Sequence, residues 1–324
     1  MAGRSTRMAV ALIVAVASLA GFSAVALAAT IVGTGGNDNL TGTPAHDLIV
    51  ARAGNDHVNA LAGNDRVLAG AGDDTVNGGL GWDRIALGAG NDVANGGFGR
   101  DLIQGNSGND NISGDRGNDR LFGGDGNDIV NGYRGNDFIG GGRGDDYVRG
   151  DVPGNGIGGA DRVFGGPGND TVIGGDGPDR LHGGDGNDQS FGNNGNDLMS
   201  GGNGDDVQYG GDGSDRIFAN LGRDTTYGGN GNDDLWALAR GDVTAPGDPL
   251  GDTLFGEAGN DTIHVRDGEV DNVDCGGGDN DRVIADSFDI VAANCEHVFR
   301  RDPAPRQDAS ENNTQSPADD RKTS

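Results

Sequence analysis

The chain has 324 residues, of which 66 are glycine and only 33% are hydrophobic, and its 51 acidic side chains outnumber 23 basic ones for a net charge of −28. So little apolar material excludes an ordinary two-layer domain, and the charge excludes nucleic acid and anionic membrane surfaces as partners. Such a composition stays disordered unless something besides apolar burial supplies the missing stability.

At the N-terminus, Arg4 and Arg7 precede an apolar run from Met8 to Ala20 that continues weakly to Leu27 and ends in Ala26-Leu27-Ala28. This is the layout of a secretory signal peptide, residues 1–28, cut after Ala28, with no transmembrane segment left behind. The run is also close to the ~20 residues that span a bilayer, so an uncleaved anchor is the alternative. An exported chain is expected outside the cell or on its surface, with its two cysteines, Cys275 and Cys295, paired in one disulfide.

From residue 33 the sequence repeats every nine residues. Aspartates fall in step at Asp38, Asp47, Asp56, Asp65, Asp74, Asp83, Asp92, Asp101, Asp110, Asp119, Asp128, Asp137 and Asp146. An insertion at 151–156 interrupts the pattern, which resumes in phase at Asp161, Asp170, Asp179, Asp188, Asp197, Asp206, Asp215, Asp224, Asp233 and Asp242. It then loosens through Asp252, Asp261, Asp271 and Asp281, giving 27 repeats from Gly33 to Ile284. The clearest copies, Gly123-Gly124-Asp125-Gly126-Asn127-Asp128 and Gly183-Gly184-Asp185-Gly186-Asn187-Asp188, define the unit G-G-x-G-x-D-x-U-x, with U apolar.

Glycines at positions 1, 2 and 4 permit positive φ and let carbonyls converge where a Cβ would clash. The result is a turn lined with oxygen, to which position 6 adds a carboxylate, and oxygen is what the hard cation Ca²⁺ takes, about six to eight ligands at a time. The x-U-x triplet reads as a very short strand whose middle residue faces inward. Position 8 accordingly supplies an aliphatic stack, including Val58, Val67, Ile85, Ile103, Leu121, Val130, Ile139, Val163 and Leu181.

On these residues the chain resembles the RTX (repeat-in-toxin, haemolysin-type) calcium-binding family, over roughly three quarters of its length. The resemblance implies an all-β fold, a parallel β-roll or β-solenoid with 18 residues per coil, and multiple Ca²⁺ ions between stacked turns. Each ion would be shared by position-6 aspartates two repeats apart, such as Asp110 with Asp128, Asp119 with Asp137, Asp170 with Asp188 and Asp179 with Asp197. The implied ligands run from Asp74 to Asp233 in the series above, with turn carbonyls such as those of Gly123, Gly165, Gly174, Gly183, Gly201, Gly210 and Gly228. One buried aliphatic per repeat does not offset the ordering of nine residues, so the metal-free chain is expected to be expanded, with folding coupled to binding. Folding would then follow export into about millimolar extracellular calcium.

Several segments depart from the unit. Ala51-Arg52-Ala53-Gly54-Asn55-Asp56 and Ala60-Leu61-Ala62-Gly63-Asn64-Asp65 keep only the position-4 glycine, which predicts weak or missing ions there. Thr43-Pro44-Ala45-His46 reads as an N-terminal cap with no site at Asp47. Position 8 turns polar at Ser190, Gln208, Thr226 and Thr244, while Phe191, Tyr209 and Tyr227 occupy position 9. Two readings stand: an aromatic ladder for a cell-surface glycan or protein partner, and, the favoured one, a local exchange of the buried face. Arginines at position 7 (Arg66, Arg84, Arg120, Arg162, Arg180, Arg216 and Arg282) read as surface charge balance.

The segment from Asp271 through the two cysteines is similar to a terminal element of actinobacterial secreted proteins, which would cap the roll. The organisation is therefore a signal peptide at 1–28, a roll at 29–264, degenerate repeats with a disulfide cap at 265–299, and a disordered tail at 300–324. No enzyme is expected. His46, His57, His182, His264 and His297 form no H-E-x-x-H, no G-x-S-x-G occurs, and the abundant carboxylates already have a use. The function that follows is calcium binding by a secreted structural or adhesive protein, with a calcium buffer as second choice and a polysaccharide-acting enzyme on the roll surface as the alternative of a different class.

Overall fold

The computed structural model describes residues 28–154, 158–237 and 251–301. The apolar segment 1–27, part of the insertion at 151–156, the repeat at Asp242 and the tail from 302 lie outside the described residues. Within them every regular element is a strand, and no helix is long and apolar enough to cross a membrane.

The period-2 alternation of x-U-x acts as the sequence dictates: Ile103, Ile112, Leu121, Val130, Ile139, Val163 and Leu181 are all fully buried. The strands, however, are longer than the triplet. A typical one, Arg120–Asp125, runs six residues, from position 7 through position 3 of the next repeat. Pairing continues beyond the triplet whether or not positions 1 and 2 are glycine: Arg120, Leu121 and Phe122 pair with Leu102, Ile103 and Gln104, Gly124 and Asp125 with Asn106 and Ser107, and Arg52 and Ala53 with Gly70 and Ala71.

The chain forms two compact units, residues 1–142 and 143–324. In the first, strands from Thr30–Val32 to Phe138–Arg143 alternate between two parallel sheets, each pairing with the strand two along the chain. The register steps by 18 residues, as in Asn111 with Ile129 and Ile112 with Val130. The same β-solenoid winding governs the second unit, from Tyr147–Arg149 to His297–Arg300. There Arg162 pairs with Arg180 and Val163 with Leu181.

Two insertions leave the winding in phase. Tyr147 pairs with Thr171 across the insertion at 151–156. Thr225 pairs with Thr253, and Thr226 with Leu254; the repeat expected at Asp242 and Thr244 lies outside the described residues.

The favoured exchange of buried faces at the polar repeats does not occur. Ser190, Gln208 and Thr226 are 1%, 0% and 1% exposed, and Thr226 Oγ1 donates to Gln208 Oε1 at 3.3 Å. A one-residue slip would turn every side chain of the strand to the other face, and the flanking aspartates and glycines hold the phase. Phe191, Tyr209 and Tyr227 stay on the outer face and stack on one another and on Phe255, with ring centroids 5.1, 4.8 and 4.8 Å apart. The position-7 arginines are exposed, and Arg216 pairs with Asp234 at 2.9 Å.

Candidate metal centre: two columns of buried aspartates in each unit

A period of nine on an 18-residue coil places every second aspartate above its predecessor. The backbone N–H of each aspartate donates to Oδ1 of the aspartate one coil further on: Asp110 to Asp128, Asp119 to Asp137, Asp170 to Asp188 and Asp179 to Asp197, at 2.7 to 2.8 Å. In the first unit one column runs from Asp38 through Asp56, Asp74, Asp92 and Asp110 to Asp128. The other runs from Asp47 through Asp65, Asp83, Asp101 and Asp119 to Asp137.

In the second unit one column takes Asp146, Asp170, Asp188, Asp206, Asp224, Asp252, Asp271 and Asp289. Its companion takes Asp161, Asp179, Asp197, Asp215, Asp233, Asp261, Asp281 and Glu296. The last member of each, Asp289 and Glu296, was not foreseen. Their repeats lack the glycines, and only the spacing of Asp271 to Asp289 could have signalled one of them.

All the aspartates from Asp74 to Asp233 that the sequence singles out are no more than 3% exposed. One carboxylate oxygen is spent on the N–H ladder. The other, Oδ2, is buried without a hydrogen-bond partner in Asp74, Asp83, Asp92, Asp101, Asp110, Asp119, Asp170, Asp179, Asp188, Asp197, Asp206, Asp215 and Asp233. A buried charge left in this condition is costly. Burial accordingly raises these carboxyls far above their ordinary range: Asp119, Asp179, Asp188 and Asp206 reach about 8, although the N–H bond pulls each downward, and their column neighbours add to the rise.

The three glycines of the unit have separate duties. Gly124 and Gly126, at positions 2 and 4, have φ of 128° and 135°. Position 1 needs space instead. A Cβ on Gly123, Gly165, Gly174, Gly183, Gly201, Gly210 or Gly228 would meet Oδ2 of its own repeat's aspartate and a carbonyl oxygen of the stacked repeat. Six of the singled-out carbonyls stand at such corners: those of Gly123, Gly174, Gly183, Gly201, Gly210 and Gly228 adjoin Asp110, Asp161, Asp170, Asp188, Asp197 and Asp215. Gly165 contributes the corner where Asp170 Oδ2 faces the Gly183 carbonyl.

This glycine corner is not universal. Position 1 holds Ala51, Ala60, Ala69, Leu87 and Ala219, all fully buried, so a side chain fills the space beside Asp56, Asp65, Asp74, Asp92 and Asp224. Position 2 holds Arg52, Leu61, Asn106, Asp115, Tyr133, Asn193, Asn220 and Glu257, each at φ of 71° to 88°. At the C-terminal end Cys275 and Cys295 form the expected disulfide, with S–S 2.05 Å.

A parallel β-solenoid whose turns bring carboxylate and carbonyl oxygens to a common corner is a repeat protein built to hold hard cations. The RTX calcium-binding nonapeptide repeat model matches residues 32–67, 59–94, 88–121, 95–130, 113–148, 155–190, 179–208, 209–239 and 246–269, and the chain belongs to that family. The family's repeats imply calcium binding. No curated protein matches the chain.

Proposed function

We propose that this chain is a secreted structural protein whose roll forms when Ca²⁺ fills the glycine corners along the aspartate columns. The observation that carries the reading is the row of buried Oδ2 atoms without hydrogen-bond partners, each beside a backbone carbonyl. The donor set fits the ion. All the donors are oxygens, several are backbone carbonyls, and the glycine leaves the room that a metal would take. The position-6 aspartates from Asp74 to Asp233 would serve as ligands, most fully where position 1 is glycine. Bound Ca²⁺ would ionise them and relieve the repulsion within each column.

Residues 1–28 would direct export and be removed, so that the chain meets enough calcium to fold only outside the cell. The carboxylates that a glycosidase would need are here committed to the backbone ladder, which supports a structural over a catalytic reading. The aromatic ladder supports adhesion to a glycan only weakly. Phe191, Tyr209, Tyr227 and Phe255 turn their ring faces to one another at the strand spacing, whereas a sugar stacks on a free face.

Far-UV circular dichroism of residues 29–324, titrated with Ca²⁺, then with chelator, and with Mg²⁺ as control, tests the reading. A cooperative, reversible gain of β signal with Ca²⁺ alone is the expected result; a spectrum indifferent to calcium would overturn it.

A further inference from the structure

The turn from Arg266 to Asp271 departs from the glycine pattern in one direction. Counted from Asp271 at position 6, Asp267 stands where the unit has its second glycine and Glu269 where it has its third. A regular turn brings one carboxylate and its carbonyls to the column; this one brings three carboxylates. Asp267, Glu269 and Asp271 are 7%, 1% and 0% exposed, and one carboxylate oxygen from each lies within 4.8 Å of the other two. Three oxygens so spaced lie no more than about 2.8 Å from a common centre, a few tenths of an ångström beyond the ~2.3–2.6 Å of a Ca–O bond, so a small side-chain adjustment lets all three touch a single ion.

A fourth buried carboxylate adjoins this turn from one coil earlier. Asp252, one coil earlier, is fully buried and gives Oδ1 to the Asp224 N–H, while its Oδ2 has no hydrogen-bond partner. Its N–H donates to Asp271 Oδ1 at 2.7 Å, and Asp271 Oδ2 is likewise buried without a hydrogen-bond partner. On the far side, Asp289 spends both oxygens on the N–H groups of Asp271 and Asp286, and Arg300 donates to the Asp286 and Asp289 carbonyls. The Cys275–Cys295 bond ties the strand after Asp271 to the segment after Asp289, which lowers the ordering cost of this end.

We propose that Asp267, Glu269 and Asp271, joined by Asp252, hold one Ca²⁺ in a site whose donors differ from those of the glycine turns and which fills at lower calcium than they do. Affinity in oxygen-ligand sites rises with the number of charged ligands and the rigidity of the frame, and both are greater here. The site needs only the coils from Asp252 to Asp289, tied by the Cys275–Cys295 bond, and not the glycine corners of the earlier coils.

The test is isothermal titration of the secreted chain with CaCl₂ from a chelator-stripped start, with circular dichroism in parallel, comparing the native chain with Asp267→Asn/Glu269→Gln. The native chain should bind one ion before the cooperative class. The double variant should lose that ion, or need at least about tenfold more calcium for it, while the later β transition is retained. An early event unchanged by the double substitution would overturn the proposal. If the native chain binds the one ion without any gain of β signal, the folding reading fails and this site stands. Thermal melts guard against a misfolded variant, using Glu269→Gln alone as well. Loss of the ion should shrink the gain in Tm between the lowest calcium that supports the roll and saturating calcium. A calcium-induced gain equal to that of the native chain in both variants would again overturn the proposal.

Discussion

Two stretches of one column in the first unit carry the same backbone and different corners. At Asp56, Asp74 and Asp92 the corner is filled by Ala51, Ala69 and Leu87, whereas at Asp110 and Asp128 it is open at Gly105 and Gly123. The N–H ladder passes from one stretch into the other without a break, Asp74 to Asp92 at 2.7 Å and Asp92 to Asp110 at 2.8 Å. Position-1 glycine is therefore a requirement of space at the carboxylate and not of backbone conformation. A β-roll can lose it and still wind; what it gives up there is the room for an ion.

The difference can be broken most drastically by removing calcium. As a chelator lowers calcium stepwise, the Gly105–Asp137 stretch should lose its amide protection from hydrogen exchange first, because its carboxylates then face one another uncompensated, and the Ala51–Asp92 stretch only when the roll as a whole opens. Loss beginning in the Ala51–Asp92 stretch would mean that its filled corners depend on calcium as much as the open ones. Closing the open corners comes next. Gly105→Ala/Gly123→Ala should drive a methyl into Asp110 Oδ2 and Asp128 Oδ2, cost about 1–3 kcal/mol per site as overpacking, and reduce bound calcium by direct assay. The reverse change, Ala51→Gly/Ala69→Gly, should add calcium and leave the fold intact.

Acidity separates the two states of the columns by sign. The folded pKa values of Asp119 and Asp188 are raised from the ordinary 3.8 to about 8. In the metal-free chain the stability they contribute is therefore fully present below about pH 3.8 and is lost as pH rises through about 8. In chelator, β signal should grow as pH is lowered from 8 to 5. With calcium present, protons compete for the same oxygens, so the Ca²⁺ midpoint should move to higher concentration over the same range. A midpoint indifferent to pH would count against carboxylate ligation. The smallest effect concerns position 2. Leu61, at φ of 78°, pays a left-handed cost that glycine avoids, so Leu61→Gly should stabilise by roughly 0.5–1 kcal/mol in a denaturant titration. Asn106→Gly should do almost nothing, because asparagine tolerates that region.

Much of this was legible in the sequence because each rule was local and repeated. The inward side chain of position 8 and the stacking of Asp110 with Asp128 follow from a period of nine and the pleat of a strand. Where the rule needed three-dimensional neighbours, it failed. The double glycine at 78–79 and the lone one at 88 look like minor variations, yet only the position-1 residue, Gly78 or Leu87, decides whether a corner is open. Nor did the sequence show that the columns step by 28 residues at this point, with Asp224 reaching Asp252 and Asp233 reaching Asp261. The polar Ser190, Gln208 and Thr226 suggested that another face was buried, but the phase is held by aspartates and glycines on both sides and not by the residue at position 8.

The most direct test is anomalous X-ray diffraction from crystals of residues 29–324 grown in calcium, with data from a crystal briefly soaked in chelator as reference. The account predicts anomalous peaks between Asp188 Oδ2 and the Gly201 carbonyl, at the equivalent glycine corners along each column, and weak or missing peaks beside Ala51, Ala69 and Leu87. A folded roll with no anomalous density at the glycine corners, its aspartates protonated in place of metal-bound, would contradict it.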